Sequence, residues 1–141
     1  MKRFWALAGL ALCGSVSASE PEGIRKLDPA WKEMEHRVGK LLGQADQRKL
    51  LDMAYAQVAV DACPGLAIDA KGFEHAFAGM AGKGQRTPTE QRRFENEMMV
   101  DFGVYTGLVL AESFLDKPVF CEAVERIRQK AGGPSHFWLP R

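Results

Sequence analysis

Two thiols, Cys63 and Cys121, are the side chains with the plainest chemistry in this sequence. A thiol can exchange electrons, ligate a metal or haem, or cross-link a chain. Neither cysteine lies in a Cys-x-x-Cys or Cys-x-x-Cys-His stretch, and neither has a histidine at zinc-site spacing. Cross-linking is left, so a Cys63–Cys121 disulfide is expected if the chain folds in an oxidising compartment. On loop-closure entropy such a bridge stabilises by about 4 kcal/mol. No metal or cofactor is expected: His36 and His75 point away from the apolar stripes of their own segments, and no pair of His, Cys or Met residues stands at helical i,i+4 spacing. Met34, Met53, Met80, Met98 and Met99 are the soft ligands copper prefers, but several fall on core stripes, where methionine fills irregular gaps.

A second candidate is Glu112 in "LAESFLDKP", a carboxylate that closes an intensely apolar run. Glycosidic cleavage needs a carboxyl kept protonated by its surroundings beside a sugar-binding groove. The Glu112-Ser113-Phe114 triplet with a nearby proline resembles the Glu-Ser-x-Phe-x-Pro stretch of lytic transglycosylases, with Phe114 directly after Ser113. That resemblance implies a general acid at Glu112 acting on cell-wall glycan. The preferred reading is a structural carboxylate at a helix edge near the helix end. Asp101-Phe102-Gly103 matches the kinase magnesium triplet by chance, without the lysine-bearing strand or catalytic loop. Gly82-Lys83-Gly84 lacks the spacing and hydroxyl residue of a phosphate loop and reads as a turn.

The compartment is read from the other end of the chain. Lys2 and Arg3 precede an apolar run, "FWALAGLALCG", that is too short to span a bilayer and leads into small residues. This reads as a secretory signal peptide over residues 1–18, cut after Val16-Ser17-Ala18. Cys13 in "LALCGS" resembles a bacterial lipobox, with Leu12 where a small residue is usual, so a lipid anchor is the minor alternative to a periplasmic or secreted product. No later run is expected to span a membrane. Removing residues 1–18 leaves 17 Lys+Arg (19 less Lys2 and Arg3) against 18 Asp+Glu. So balanced a chain offers nothing to a nucleic acid. Lys83, Arg86, Arg92 and Arg93 gather at one loop and read as a solvated helix entrance.

The elements that must position these groups are helical. Residues 19–27 form a polar, flexible arm. Asp28-Pro29 opens helix one, with Trp31, Met34, Val38, Leu41 and Leu42 on one face. Helix two runs from about Asp46 to Cys63 on an alanine-rich stripe, and Pro64-Gly65 stops it. Asp69 caps a short helix three, whose inner face is Phe73, Ala76, Phe77 and Met80. Thr87 and Glu90 form a capping box for the longest helix. Beyond Met98 that helix is apolar almost all round, which predicts a buried centre of the fold. Gly103, Gly107 and Ala111 recur every fourth residue and predict a flat strip where another helix of the chain crosses. Helix five, about Lys117 to Ala131, buries Phe120, Val124 and Ile127, and Gly132-Gly133-Pro134 ends it.

No sustained period-two alternation appears, so the fold class is all-α: a single domain over residues 28–133, a bundle of about five helices stapled by one disulfide. The tail, residues 134–141, carries Phe137, Trp138 and Leu139. Docking on the domain is the first expectation for it, and a partner-binding peptide anchored by Trp138 the second. The function expected is that of a small exported, non-catalytic helical protein of the bacterial cell envelope that binds another envelope protein. It would serve as an inhibitor or immunity-type factor, or as an acid or stress chaperone broadly similar in architecture to the acid-activated periplasmic helical chaperones. The alternative is a glycan-cleaving enzyme using Glu112.

Overall fold

The computed structural model describes residues 27–140; the leader, Cys13 and residues 19–26 of the arm lie outside the described residues. Helix α1 (Asp28–Leu41) takes Pro29 into its first turn, where the missing N–H breaks no helical hydrogen bond. Its cap is Leu27, one residue earlier than the sequence suggests, and Asp28 stands inside the first turn, where its charge suits the helix dipole. Trp31, Met34 and Val38 are its buried face. Leu42 and Gly43 then turn the chain into α2 (Gln44–Ala62), which ends on Cys63.

Helix α3 (Ala70–Ala81) starts where the Asp69 carboxylate accepts from the Gly72 N–H at 3.0 Å. Helix α4 (Pro88–Leu115) starts on the capping box: Glu90 N–H donates to Thr87 Oγ1 at 3.3 Å, and Thr87 N–H to Glu90 Oε2 at 2.8 Å. A single residue, Asp116, ends α4 and caps α5 (Lys117–Lys130), accepting from the Val119 N–H at 3.3 Å. Ala131 takes the left-handed position after α5 at φ 50°. Gly133, at φ 55°, starts a short 3-10 turn, Gly133–Phe137. A Cβ there would press on Asp52 Oδ1 at 3.3 Å, so glycine serves both the backbone and the packing.

The described residues thus form an all-α bundle of five helices, and Cys63–Cys121 is disulfide-bonded across a Cα–Cα distance of 5.6 Å. An aromatic ladder crosses the core. The Trp31 ring lies between Tyr105 (6.1 Å) and Tyr55 (6.3 Å), and Tyr55 continues to Phe120 (6.4 Å). A second cluster, Phe73, Phe77, Phe102 and Phe137, ties α3 and the tail to α4 through edge-on contacts.

Two expectations are corrected. The buried centre is α2, not α4. Leu50, Met53, Ala54, Ala56, Val58 and Ala59 are all buried because α4, α5, α1 and the tail pack around this one helix. Alanine lets those neighbours come close, which is why the middle position falls to α2. The second concerns the apolar runs after residue 18, none of which is expected to approach membrane-spanning length and composition. Among the described residues Pro88–Leu115 meets that length and composition, though one side of it packs on α1 and α2.

Candidate functional site

Glu112 sits in the last turns of α4 and is 2% exposed. Its Oε1 accepts from the Leu27 N–H at 2.7 Å and from Trp31 Nε1–H at 3.1 Å. Both donors belong to the start of α1, so the carboxylate supplies negative charge where the α1 dipole is positive and satisfies an amide that no side-chain cap serves. Glu112 is therefore a latch between the entry of α1 and the end of α4.

The other acid of this half of α4, Asp101, is also buried, and Arg37 on α1 reaches it from the surface at 3.1 Å. Burial holds its carboxyl above the ordinary aspartate value, Arg37 opposes that rise, and Glu97 adds to it. A second acid–base contact ties the first turn of α2 to the α3–α4 loop: Asp46 accepts from Lys83 Nζ at 2.6 and 2.7 Å. Arg86 stacks over the Phe94 ring, 3.7 Å from its centroid. Two of the four cations at the α3–α4 loop therefore serve internal contacts rather than forming a free basic surface.

The tail is docked. Trp138 Nε1–H donates to the Ala56 carbonyl at 3.1 Å, Asp69 N–H donates to the Phe137 carbonyl at 2.8 Å, and Leu139 N–H to the Ala67 carbonyl at 2.9 Å. Phe137 and Trp138 are core residues, so only Leu139 of the three aromatic-tail candidates faces solvent. The burial of two large rings outweighs the ordering of a few residues, which is why the tail folds back. His36 and His75 are exposed, and Met34, Met53, Met80 and Met98 are buried while Met99 is exposed. Among the described residues no three His, Cys, Asp or Glu side chains gather to hold a metal.

The surface feature that the sequence reading missed is the outer side of α4. From Met99 to Leu115 the charged residues are Asp101 and Glu112, and both point inward. Outward point Met99, Val100, Val104, Leu110, Phe114 and Leu115, with Phe114 79% exposed. Gly103 and Gly107 lie along the middle of this face, and a Cβ on either would meet nothing within 4 Å. Among the described residues, the expected intramolecular helix crossing is therefore absent at that strip. The signal was the near-uniform apolarity of "VYTGLVLA", which says that two sides want cover without saying which one a neighbour reaches. An uncharged apolar face about four turns long, with a shallow glycine channel and larger ridges beside it, has the shape that receives another helix.

A scan against protein-family models, a search of curated proteins and a search of solved structures each return no match.

Proposed function

We propose that this chain is a small exported, non-catalytic helical protein of the bacterial cell envelope that works by binding another protein through the outer face of α4. The observation that carries the reading lies along Met99–Leu115: both acids, Asp101 and Glu112, are buried while Met99, Val100, Val104, Leu110, Phe114 and Leu115 are exposed. Burying carboxylates costs stability and exposing large apolar side chains forgoes it, so a sequence that does both along one helix answers to something outside the monomer. The disulfide fits an oxidising compartment, and the signal-like residues 1–18 supply the route to it.

The glycine channel favours an inhibitor or immunity-type factor with a specific partner over a general chaperone. Promiscuous client-binding surfaces rely on flexible, methionine-rich contacts, whereas Gly103 and Gly107 make a groove of fixed shape on a regular helix. The test is capture of an envelope partner by the exported protein and by a Phe114→Asp variant. A partner held by the parent and lost by the variant supports the reading; equal capture by both overturns it. The chaperone version requires suppression of client aggregation in strong acid. The glycan-cleaving version requires release of soluble fragments from purified cell wall that a Glu112→Gln variant fails to release.

A further inference from the structure

We propose that Met99 is an oxidative modification site: a peroxide converts its thioether to the sulfoxide on the folded chain, and the outer face of α4 changes there from apolar to polar. The consequence for binding rests on the reading of that face as a docking surface; the chemistry at Met99 does not.

The side chains that a peroxide attacks under mild conditions are thiolates and thioethers. Cys63 and Cys121 are joined to each other and offer no thiolate. Among the described residues Met34, Met53, Met80 and Met98 are buried in the core, while Met99 is 52% exposed. The open sulfur chemistry of the described residues therefore comes down to one atom, Met99 Sδ.

Met98 and Met99 make the contrast within one turn. They are consecutive and chemically identical, but about 100° of helix separates them, which puts Met98 in the core at 2% exposure and Met99 beside exposed Val100. Nothing on α4 shields the Met99 sulfur: one turn on stands Gly103, which has no side chain and around which a Cβ would meet nothing within 4 Å. One turn back stands exposed Asn96.

The step balances with the peroxide alone. A sulfur lone pair attacks one peroxide oxygen, the S–O bond forms as the O–O bond breaks, and the proton on the transferred oxygen passes to the departing hydroxide, which leaves as water. Sulfur loses two electrons and the peroxide gains them. In the core the new S–O group would disrupt packing, but at Met99 it meets water and the fold is kept. What changes is the surface. From Met99 to Leu115 the outer face carries no charge, and a sulfoxide oxygen at its N-terminal end is an acceptor that an apolar partner must bury without a donor. Capture through the face therefore falls by about ten-fold or more, and enzymatic reduction of the sulfoxide restores it.

Purified protein treated with hydrogen peroxide at neutral pH and mapped by tandem mass spectrometry tests the site, with Met98→Leu and Met99→Leu alongside. The expected result is the gain of one oxygen on Met99, at the parent rate in Met98→Leu and lost in Met99→Leu, with helical signal and urea midpoint unchanged. Uptake at Met98 as fast as at Met99, or uptake that unfolds the chain, overturns the inference. Retention on a phenyl matrix then reads the face without any partner. Oxidised parent should elute earlier than untreated parent and return to its place after treatment with the two methionine sulfoxide reductases, one for each epimer, and peroxide should leave Met99→Leu where it was. Unchanged retention of fully oxidised parent overturns the change of face. If retention shifts but Phe114→Asp leaves partner capture intact, the docking reading falls and the modification site stands.

Discussion

Removing the disulfide is the perturbation whose size the structure sets most directly. The bridge joins the C-terminal end of α2 to α5 across 58 residues of chain, so in the unfolded state it forbids every conformation in which those ends drift apart. Loop-closure entropy for that length corresponds to about 4 kcal/mol, against a total of roughly 5–15 kcal/mol for a domain. A Cys63→Ala/Cys121→Ala double variant loses that restriction and little packing, because alanine is accepted at a buried thiol of similar size. With a urea slope of about 1–3 kcal/mol per molar, the midpoint should fall by about 1.3–4 M. The slope itself should rise, since the uncross-linked chain unfolds to a more open ensemble. Equilibrium unfolding followed by the fluorescence of Trp31 and Trp138 measures both. A midpoint shift under about 0.5 M with an unchanged slope would mean less than about 1 kcal/mol, and the entropic account of the staple would be refuted.

Other perturbations test separate contacts. Trp138→Ala should cost about 3–5 kcal/mol, because the ring is buried and its N–H bonds Ala56, while Leu139→Ala, at an exposed position, should stay within about 0.5 kcal/mol; thermal melts compare the two. Thr87→Ala removes one half of the α4 capping box and should cost about 1 kcal/mol, read as a lower melting temperature with an unchanged helical signal. Asp101→Asn tests the buried acid. Because burial raises the folded-state value above the ordinary 3.8, the folded chain holds that proton more tightly than the unfolded one. Ionisation at neutral pH therefore costs stability, and the cost fades as pH falls through the raised value toward 3.8. The stability of Asp101→Asn relative to the parent should accordingly be higher at neutral pH than in mild acid, measured as urea midpoints at both. A relative stability that instead grows as the solution is acidified would contradict the sign.

Much of the fold is legible residue by residue because its signals are local. Asp69 and the Thr87–Glu90 pair announce helix starts through hydrogen bonds that span three residues, and Pro64-Gly65 and Gly132-Gly133 stop helices by backbone geometry alone. The thiol pairing follows from counting the cysteines after residue 18, where the expected leader ends. Glu112 was visible as an acid in an apolar run, but its partners, the Leu27 amide and the Trp31 indole, lie 85 and 81 residues away, and no spacing rule connects them.

The sequence by itself determined the helices, the Asp69 and Thr87 caps and the covalent staple, because propensity, capping and cysteine number act over a few residues or need no geometry. Only the tertiary structure decided which apolar helix takes the middle, and so which residues are left facing outward. Helices α2 and α4 each carry apolar side chains on more than one side, and burial depends on which neighbours arrive. The alanines of α2 admit α4, α5, α1 and the tail around it. Helix α4, packed on one side alone, turns Asp101 and Glu112 inward and is left, from Met99 to Leu115, with an uncharged face looking out.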